Sequence, residues 1–325
     1  MFSIKYDDII SLDNLLLAWK EFKRGKKHKF DVQEFEFRLM DNIISLHQDL
    51  KSHTYHHSGY HAFNLSDPKP RNIHKALVRD RLLHHALYRS LYWHFNKQFI
   101  HDSYSCRLGK GTHKALNRFT HFTRQASRNH TQTLWILKGD IKKFFASIDQ
   151  EILIQILEKH LADKNTLNLL KIVIKSFPQG LPLGNLTSQL LVNIYLNEFD
   201  QLVKHKLKAK YYIRYADDFV LMSTDKQYFQ DLLPQINQFL NQELKLSLHP
   251  NKVFLKTISS GIDFLGWIHF PHHRVLRTAT KKRMLKRIKA SPKPETIQSY
   301  LGMLGWGDGW KLREQIIITT DSTVV

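Results

Sequence analysis

The sequence predicts an α+β protein. Three observations carry that class. Segments with apolar residues at helical spacing dominate both ends of the chain. Short β-branched and aromatic runs gather in its middle. The two kinds alternate without the strict strand–helix–strand rhythm of a doubly wound sheet.

In chain order, residues 7–24 (DDIISLDNLLLAWKEFKR) place Leu15, Leu16, Trp19 and Phe22 on one side of a helix, and GKKHKF ends it. A second helix is expected over about 31–51. The stretch SHTYHHSGYHAFNLSDPKPRNI is turn-rich, then extended. A helix from Asp80 to Phe99 carries Leu82, Leu83, Leu87, Leu91 and Trp93, and the basic loop SYSCRLGKGTHKA enters another. LWILKGDIKKFF (134–145) has the pattern of a buried strand ending at an acid. DQEILIQILEKHL (149–161) is a helix with Asp near its start, where the helix dipole favours negative charge. SQLLVNIYLNEFDQLVKHKL (188–207) is a longer amphipathic helix, and YYIRYADDFVLMS gives two β-runs flanking acids. A helix over about 226–244 precedes the strand-like KVFLKT and GIDFLGWIHF. Residues 274–294 contain nine Lys or Arg and no acid. There Met284, Leu285 and Ile288 share a side of a helix, leaving Lys282, Lys286 and Lys289 outside.

With 325 residues and 42% apolar content, the chain can bury a core as one elaborated domain or two or three subdomains. Lys and Arg number 49 against 29 Asp and Glu, a net charge of +20 that implies a polyanionic partner, nucleic acid or a membrane surface. The cations are spread along the chain, which favours a long groove over a disordered arm. One cysteine, Cys106, excludes an intramolecular disulfide and a cysteine zinc cluster and suits a reducing cytosol. The 20 histidines lack HExxH or CxxC…HxxxH spacing. MFSIKYDDII has acids where a signal peptide needs cations, and no apolar run approaches the roughly 18 residues of a membrane span. A cytoplasmic protein with no membrane partner is expected.

RYADDFVLM (214–222) sets two adjacent carboxylates, Asp217 and Asp218, between β-formers. The pattern predicts a hairpin with the acids at its tip. Adjacent carboxylates tolerate each other if they share a cation. Mg²⁺ suits them, because it takes hard oxygen ligands from few carboxylates plus substrate phosphates. Two such ions would serve phosphoryl transfer, given a third carboxylate, for which Asp140 is best placed. The plain alternative is a solvated turn.

RYADDFVLM resembles the catalytic motif of reverse transcriptases. LKGDIKKFFASID resembles their first palm motif, and KPRNIHKALVRDRLLHHAL (69–87) is similar to the fingers motif of bacterial reverse transcriptases related to group II introns. LGNLTSQLLVNIYLNEFD and SGIDFLGW match the next palm motifs, in order, so that the resemblance covers about residues 60–270. It implies a right-hand polymerase with an antiparallel palm sheet and a short helical thumb. The expected divisions are an N-terminal helical extension (1–60), fingers (61–133), palm (134–273, with part of the fingers inserted near 150–185) and thumb (274–325). The length leaves no room for a fused endonuclease, RNase H or maturase segment.

The resemblance also implies roles. Asp140, Asp217 and Asp218, with the backbone carbonyl of Ile141, would hold two Mg²⁺ ions, with Mn²⁺ as a substitute. Phe145 would lie under the sugar of the incoming dNTP and exclude a 2′-hydroxyl, although either Phe144 or Phe145 must face inward. Arg71 would grip the triphosphate, planar guanidinium on phosphate. Lys69, Lys75 and Arg79 are weaker candidates for the same group, each of which would sooner meet template backbone or solvent. Asp80 and Arg81 suit a structural network. Lys252 matches a palm lysine near the active site. Gly266 would let the primer approach closely, or mark a strand bulge. Arg107, Lys110 and Lys114 would line the template path or a solvated loop. Helices in 276–305, with Lys282, Lys286 and Lys289, would hold the primer–template duplex by its phosphates.

Most reverse transcriptases carry PQGxxxSP where this chain has Pro182-Leu183-Gly184-Asn185-Leu186-Thr187-Ser188-Gln189; a literal Pro178-Gln179-Gly180 lies four residues too early. Leu183, Gly184, Asn185, Ser188 and Gln189 resemble the reverse transcriptases of diversity-generating retroelements. Those bacterial or phage-encoded enzymes copy a template-repeat RNA into cDNA, misincorporate opposite adenines, and work with a small basic helical accessory protein. Leu183 either removes an amide that selects the nucleotide, relaxing discrimination, or simply packs. Two rival readings are a related bacterial reverse transcriptase in phage defence and a catalytically idle RNA-binding scaffold. Three intact aspartates argue against the scaffold.

Overall fold

A computed structural model describes residues 4–66 and 70–321. The helix expected over 7–24 is two, α1 (Tyr6–Ile10) and α2 (Leu12–Phe22), because the Ser11 hydroxyl accepts a hydrogen bond from the Asn14 amide at 3.2 Å and caps α2. The helix expected over 31–51 divides into α3 (Phe30–Phe37) and α4 (Leu39–Lys51) at Arg38, whose φ of −117° and ψ of 44° leave the helical region. The extended stretch after it is an antiparallel hairpin, β1 (Tyr60–Leu65) and β2 (Arg71–Ala76). Most β1 side chains are exposed, so the sequence carries no apolar alternation to reveal it.

There follow α5 (Val78–Asn96), α6 (Thr112–Ala126), β3 (Trp135–Asp140), α7 (Phe144–Ser147), α8 (Gln150–His160) and α9 (Lys164–Lys175), the last absent from the periodicity reading. Next, α10 (Leu186–Gln201) leads through a π-turn to β4 (Tyr211–Tyr215), β5 (Asp218–Ser223) and α11 (Gln227–Gln242). The chain closes with β6 (Phe254–Thr257), β7 (Ile262–Phe264), β8 (Trp267–His269), β9 (Arg274–Leu276), α12 (Thr278–Ala290), α13 (Pro294–Leu304) and α14 (Trp310–Asp321).

The chain forms two interleaved compact units. The first comprises Met1–His101, Ile141–Leu207 and Gln235–Leu248. Its centre is α5 against α10. Helix α10 is buried on nearly every side rather than amphipathic.

The second unit comprises Asp102–Asp140, Lys208–Pro234 and His249–Val325. It holds a four-stranded sheet in the order β4-β5-β3-β6, antiparallel at every junction, and a smaller sheet β7-β8-β9. Strand β3 pairs with β5 from Trp135↔Ser223 to Asp140↔Asp218. Side chains alternate between sheet faces, so Ile136, Lys138 and Asp140 share one face with Met222, Val220 and Asp218. Ile136, Val220 and Met222 lie in the apolar core with Phe119 and Phe122 of α6. Two residues further on, the same face carries a lysine, and then two carboxylates. On the other face Gly139 opposes Phe219, and any Cβ there would run into the Phe219 ring. Helices α12–α14 gather around Leu116, Trp267, Met284, Ile288, Leu304 and Ile316.

Candidate active site

The two acids of RYADD sit where a two-residue hairpin turn places them. Tyr215 pairs with Asp218, leaving Ala216 and Asp217 as the turn. Ala216 has φ +53°, a left-handed conformation that costs an L-residue about 1–2 kcal/mol. Buried Arg214 braces it: its guanidinium donates to the Ala216 carbonyl at 3.1 Å and to the Ser103 hydroxyl at 3.2 Å. Backbone bonds from Arg214 N to Asp102 O and from Tyr104 N to Arg214 O hold β4 on its other edge. Strained backbone held by its surroundings clusters at functional sites.

Across the strands, Asp140 is 7% exposed and stands opposite Asp218. Each has a lysine. Lys252 Nζ lies 2.8 Å from Asp140 Oδ1, and Lys138 Nζ lies 3.3 Å from Asp218 Oδ1. Lys252 comes from a turn anchored by the His249 amide on the Asp140 carbonyl (2.7 Å), and its side chain is 44% exposed. Lys138 comes from the middle of β3, and its side chain is 9% exposed. Burial, with Asp140 and then Asp218 adding repulsion, pushes the Asp217 carboxyl up to about 6. Burial also raises Asp218, against the pull of Lys138.

Among the described residues, no three His, Cys, Asp or Glu side chains stand together ready to hold a metal ion. Two of the three carboxylates are paired with lysines instead. The donors nevertheless fit Mg²⁺: all are hard carboxylate oxygens, and Asp218 Oδ1 is buried without a hydrogen bond. Asp140, Asp217 and Asp218 would be the residues to hold it.

In the first unit, the remaining nucleotide candidates fall into two groups. The Leu183 carbonyl accepts from the His74 amide of β2 at 2.9 Å, and Gly184, at φ +124°, faces Ile73 and His74, so the PLGN segment lies on the strand that begins with exposed Arg71. Phe145 is half-buried while Phe144 is buried, so Phe144 is the inward-facing one. The Phe145 carbonyl accepts from the Leu181 amide at 2.8 Å. Gln179 of the literal PQG is exposed in a turn whose Gly180 has φ +66°. Asn185 and Ser188 are buried, Gln189 is exposed, and Ile141 is buried and bridged to Leu248. Lys69 lies outside the described residues. Lys75 and Arg81 both pair with Asp31, and Arg79 with Asp49.

In the second unit, Arg107 donates to the Ser103 carbonyl at 2.9 Å and Lys110 lies over the Tyr104 ring, so both are used locally. Gly266 is not in a bulge. Leu265 and Gly266, at φ +50° and +89°, form the two-residue turn of the β7–β8 hairpin, and space beside Gly266 is open. Lys282, Lys286 and Lys289 are exposed on α12, opposite buried Met284 and Ile288.

Sequence reasoning missed Lys138 and Arg214. The signal for Lys138 was present: a lysine inside an otherwise apolar strand, two residues before Asp140 and therefore on its face. Arg214 gave a weaker one, a cation among the β-formers of YYIRY.

Among the described residues no helix is long and apolar enough to cross a membrane. A family model described as reverse transcriptase (RNA-dependent DNA polymerase) matches residues 66–269. Protein YkfC of Escherichia coli (strain K12) is 24% identical over 285 residues, covering 74% of this chain and 73% of its own length. The group II intron-encoded protein LtrA of Lactococcus lactis subsp. cremoris is 24% identical over 318 residues, covering 75% of this chain. The chain spans about half (51%) of LtrA. Telomerase from Candida albicans, solved with a fragment of telomeric RNA, superposes with a TM-score of 0.52 at 12% identity over 74% of this chain and 51% of that one. That likeness is one of fold: mixed α+β, the right-hand polymerase architecture.

Proposed function

We propose that this chain, which belongs to the reverse transcriptase family, extends the 3′-hydroxyl of a DNA primer on an RNA template, releasing pyrophosphate from each dNTP. The observation that carries this reading is the register Asp140↔Asp218 with Asp217 in the adjoining turn. It brings three carboxylates to one end of a sheet, where burial and mutual repulsion raise Asp217 and Asp218 in spite of the lysines paired with Asp140 and Asp218. Two Mg²⁺ ions, when bound, would activate the attacking oxygen and stabilise the leaving oxygen. Lys252, half-exposed and on a turn, would exchange its carboxylate for a phosphate oxygen of the nucleotide. Arg71 would take the triphosphate, Phe145 would sit against the sugar, and the exposed lysines of α12 would hold the duplex backbone. In this reading Arg107, Lys110 and Gly266 would line the template and primer path, with fingers over 61–133, palm over 134–273 and thumb over 274–325.

The subtype rests on PLGNLTSQ. Leu183 beside β2 offers an apolar side chain where most of the family has an amide. Loss of a polar contact relaxes selection more than loss of an apolar one. The proposed enzyme makes adenine-mutagenised cDNA in a diversity-generating retroelement, in a bacterial cytoplasm, with a structured template RNA and a small basic accessory protein. The test is cDNA synthesis from the RNA of the neighbouring locus, with the encoded small basic protein, dNTPs and Mg²⁺, followed by sequencing. Errors concentrated opposite template adenines, reduced in Leu183→Gln, are expected. Uniform fidelity refutes the subtype and leaves polymerisation standing.

A further inference from the structure

The carboxylate cluster contains two lysines of different character. Lys252 is half-exposed, sits on a turn and can swing away. Lys138 cannot. Its backbone is paired on both sides, with Val220 of β5 and Phe254 of β6, and its side chain is buried on the face that ends in Asp140 and Asp218. A buried ammonium is costly, and an apolar residue of similar length would pack at least as well there. Among the described residues, its one charged neighbour of opposite sign in ion-pair range is Asp218, at 3.3 Å.

We propose that Lys138 is a resident counter-ion of the cluster: it positions Asp218 and, remaining in place when cations bind, sets the affinity of the three carboxylates for divalent metal. This rests on the metal-binding reading above. Two effects of its removal have the same sign. A fixed positive charge a few ångströms from the cations is lost, so they bind more favourably. Without the ammonium, Asp218 loses its paired cation in the metal-free protein while only Asp140 keeps one, in Lys252, so that state is less stable and metal binding gains further. Lys138 is thus a positioning residue rather than a ligand. A lysine that merely props the strand would change stability and leave metal affinity alone.

The experiment uses the full chain without nucleic acid or dNTP. Bound and free Mn²⁺ are measured by electron paramagnetic resonance for the wild type, Lys138→Met, Lys138→Gln, Lys138→Arg and Asp217→Asn. Met and Gln variants are expected to bind Mn²⁺ at least about threefold more tightly, and Arg within about twofold of wild type. In chelator the Met variant should melt below the wild type, with a deficit that narrows on adding Mn²⁺. Unchanged or weaker Mn²⁺ binding in both neutral variants, or a deficit indifferent to Mn²⁺, overturns the proposal. Should Lys138→Met fail to fold, Lys138→Gln decides it, keeping a polar tip without the charge. Asp217→Asn separates the two readings. If it loses Mn²⁺ binding while the lysine variants match wild type, only the counter-ion role falls. If it binds Mn²⁺ like the wild type, the metal-binding reading falls and takes this one with it.

Discussion

Two aspartate sites in this molecule, one buried and one half-buried, are treated in opposite ways. Asp80, at the start of α5, is fully buried and well served: it accepts from the Tyr55 hydroxyl at 2.7 Å and the Ser58 amide at 3.2 Å. Asp217 and Asp218 are crowded together, and Asp218 Oδ1 has no hydrogen bond of good geometry, only the Lys138 ammonium at 3.3 Å. The first arrangement stabilises the fold, because every polar atom that left water found a partner. The second is tolerable only if something else supplies positive charge. The difference distinguishes a structural carboxylate from one held ready for a ligand, where residue type alone cannot.

Substitutions should separate the two. Asp217→Asn keeps shape and removes charge; primer extension with Mg²⁺ should fall by about 10³ or more, roughly 4 kcal/mol of barrier, while the melting temperature in chelator holds or rises. Asp80→Ala should do the reverse. It strands the buried Tyr55 hydroxyl and the half-buried Ser58 amide and should cost about 2–4 kcal/mol in urea unfolding, with the rate per folded molecule kept within about threefold. If Asp80→Ala abolishes extension in a fully folded protein, the comparison is broken. Gly139→Ala tests a position where both properties meet. Its methyl group would push the Phe219 ring, and with it the β5 residue next to Asp218, so stability should drop by about 1–3 kcal/mol and activity with it.

Acidity sharpens the contrast. The Asp217 carboxyl is raised from 3.8 to about 6, so its folded value exceeds its unfolded one. The stability it contributes is therefore present below about pH 3.8 and lost as pH rises through about 6. In chelator, the wild type should lose stability relative to Asp217→Asn between pH 4 and 7 in thermal melts. With metal, the proton must leave first, so Mg²⁺ half-saturation should worsen by up to about tenfold per pH unit below 6. The smallest effect is expected for Ala216→Gly. Relief of the left-handed backbone and the greater freedom of the unfolded chain nearly cancel, leaving a change under about 1 kcal/mol.

Much of this was legible beforehand. The acids of RYADD and the acid ending LWILKGD announce themselves, because bare charge interrupts β-formers, and their pairing is a hairpin plus one more strand. The outer lysines of α12 follow from helical spacing. What periodicity could not show depends on a partner. Ser11 and Arg38 break helices by capping and by backbone angle, and the apolar pattern continues across both. The β1–β2 hairpin has no buried face to reveal it. Gly266 offered bulge or close approach, and only the φ angles of Leu265 and Gly266 show the hairpin turn. Lys138 and Arg214 are charged residues in strands, whose purpose lies in the carboxylate and the carbonyl they reach.

The sheet order β4-β5-β3-β6 has a consequence for how the chain is made. Strand β3 leaves the ribosome first, yet its two neighbours come from the regions of residues 218 and 254. At about 5–20 residues per second, Trp135–Asp140 waits on the order of ten seconds for its second edge to be covered. Until β5 emerges both edges of this short strand are open, and until β6 emerges one still is, which leaves it prone to wrong pairing. Nascent chains halted before β6 should therefore be aggregation-prone and dependent on chaperones, and soluble expression should be limited by translation timing more than by final stability.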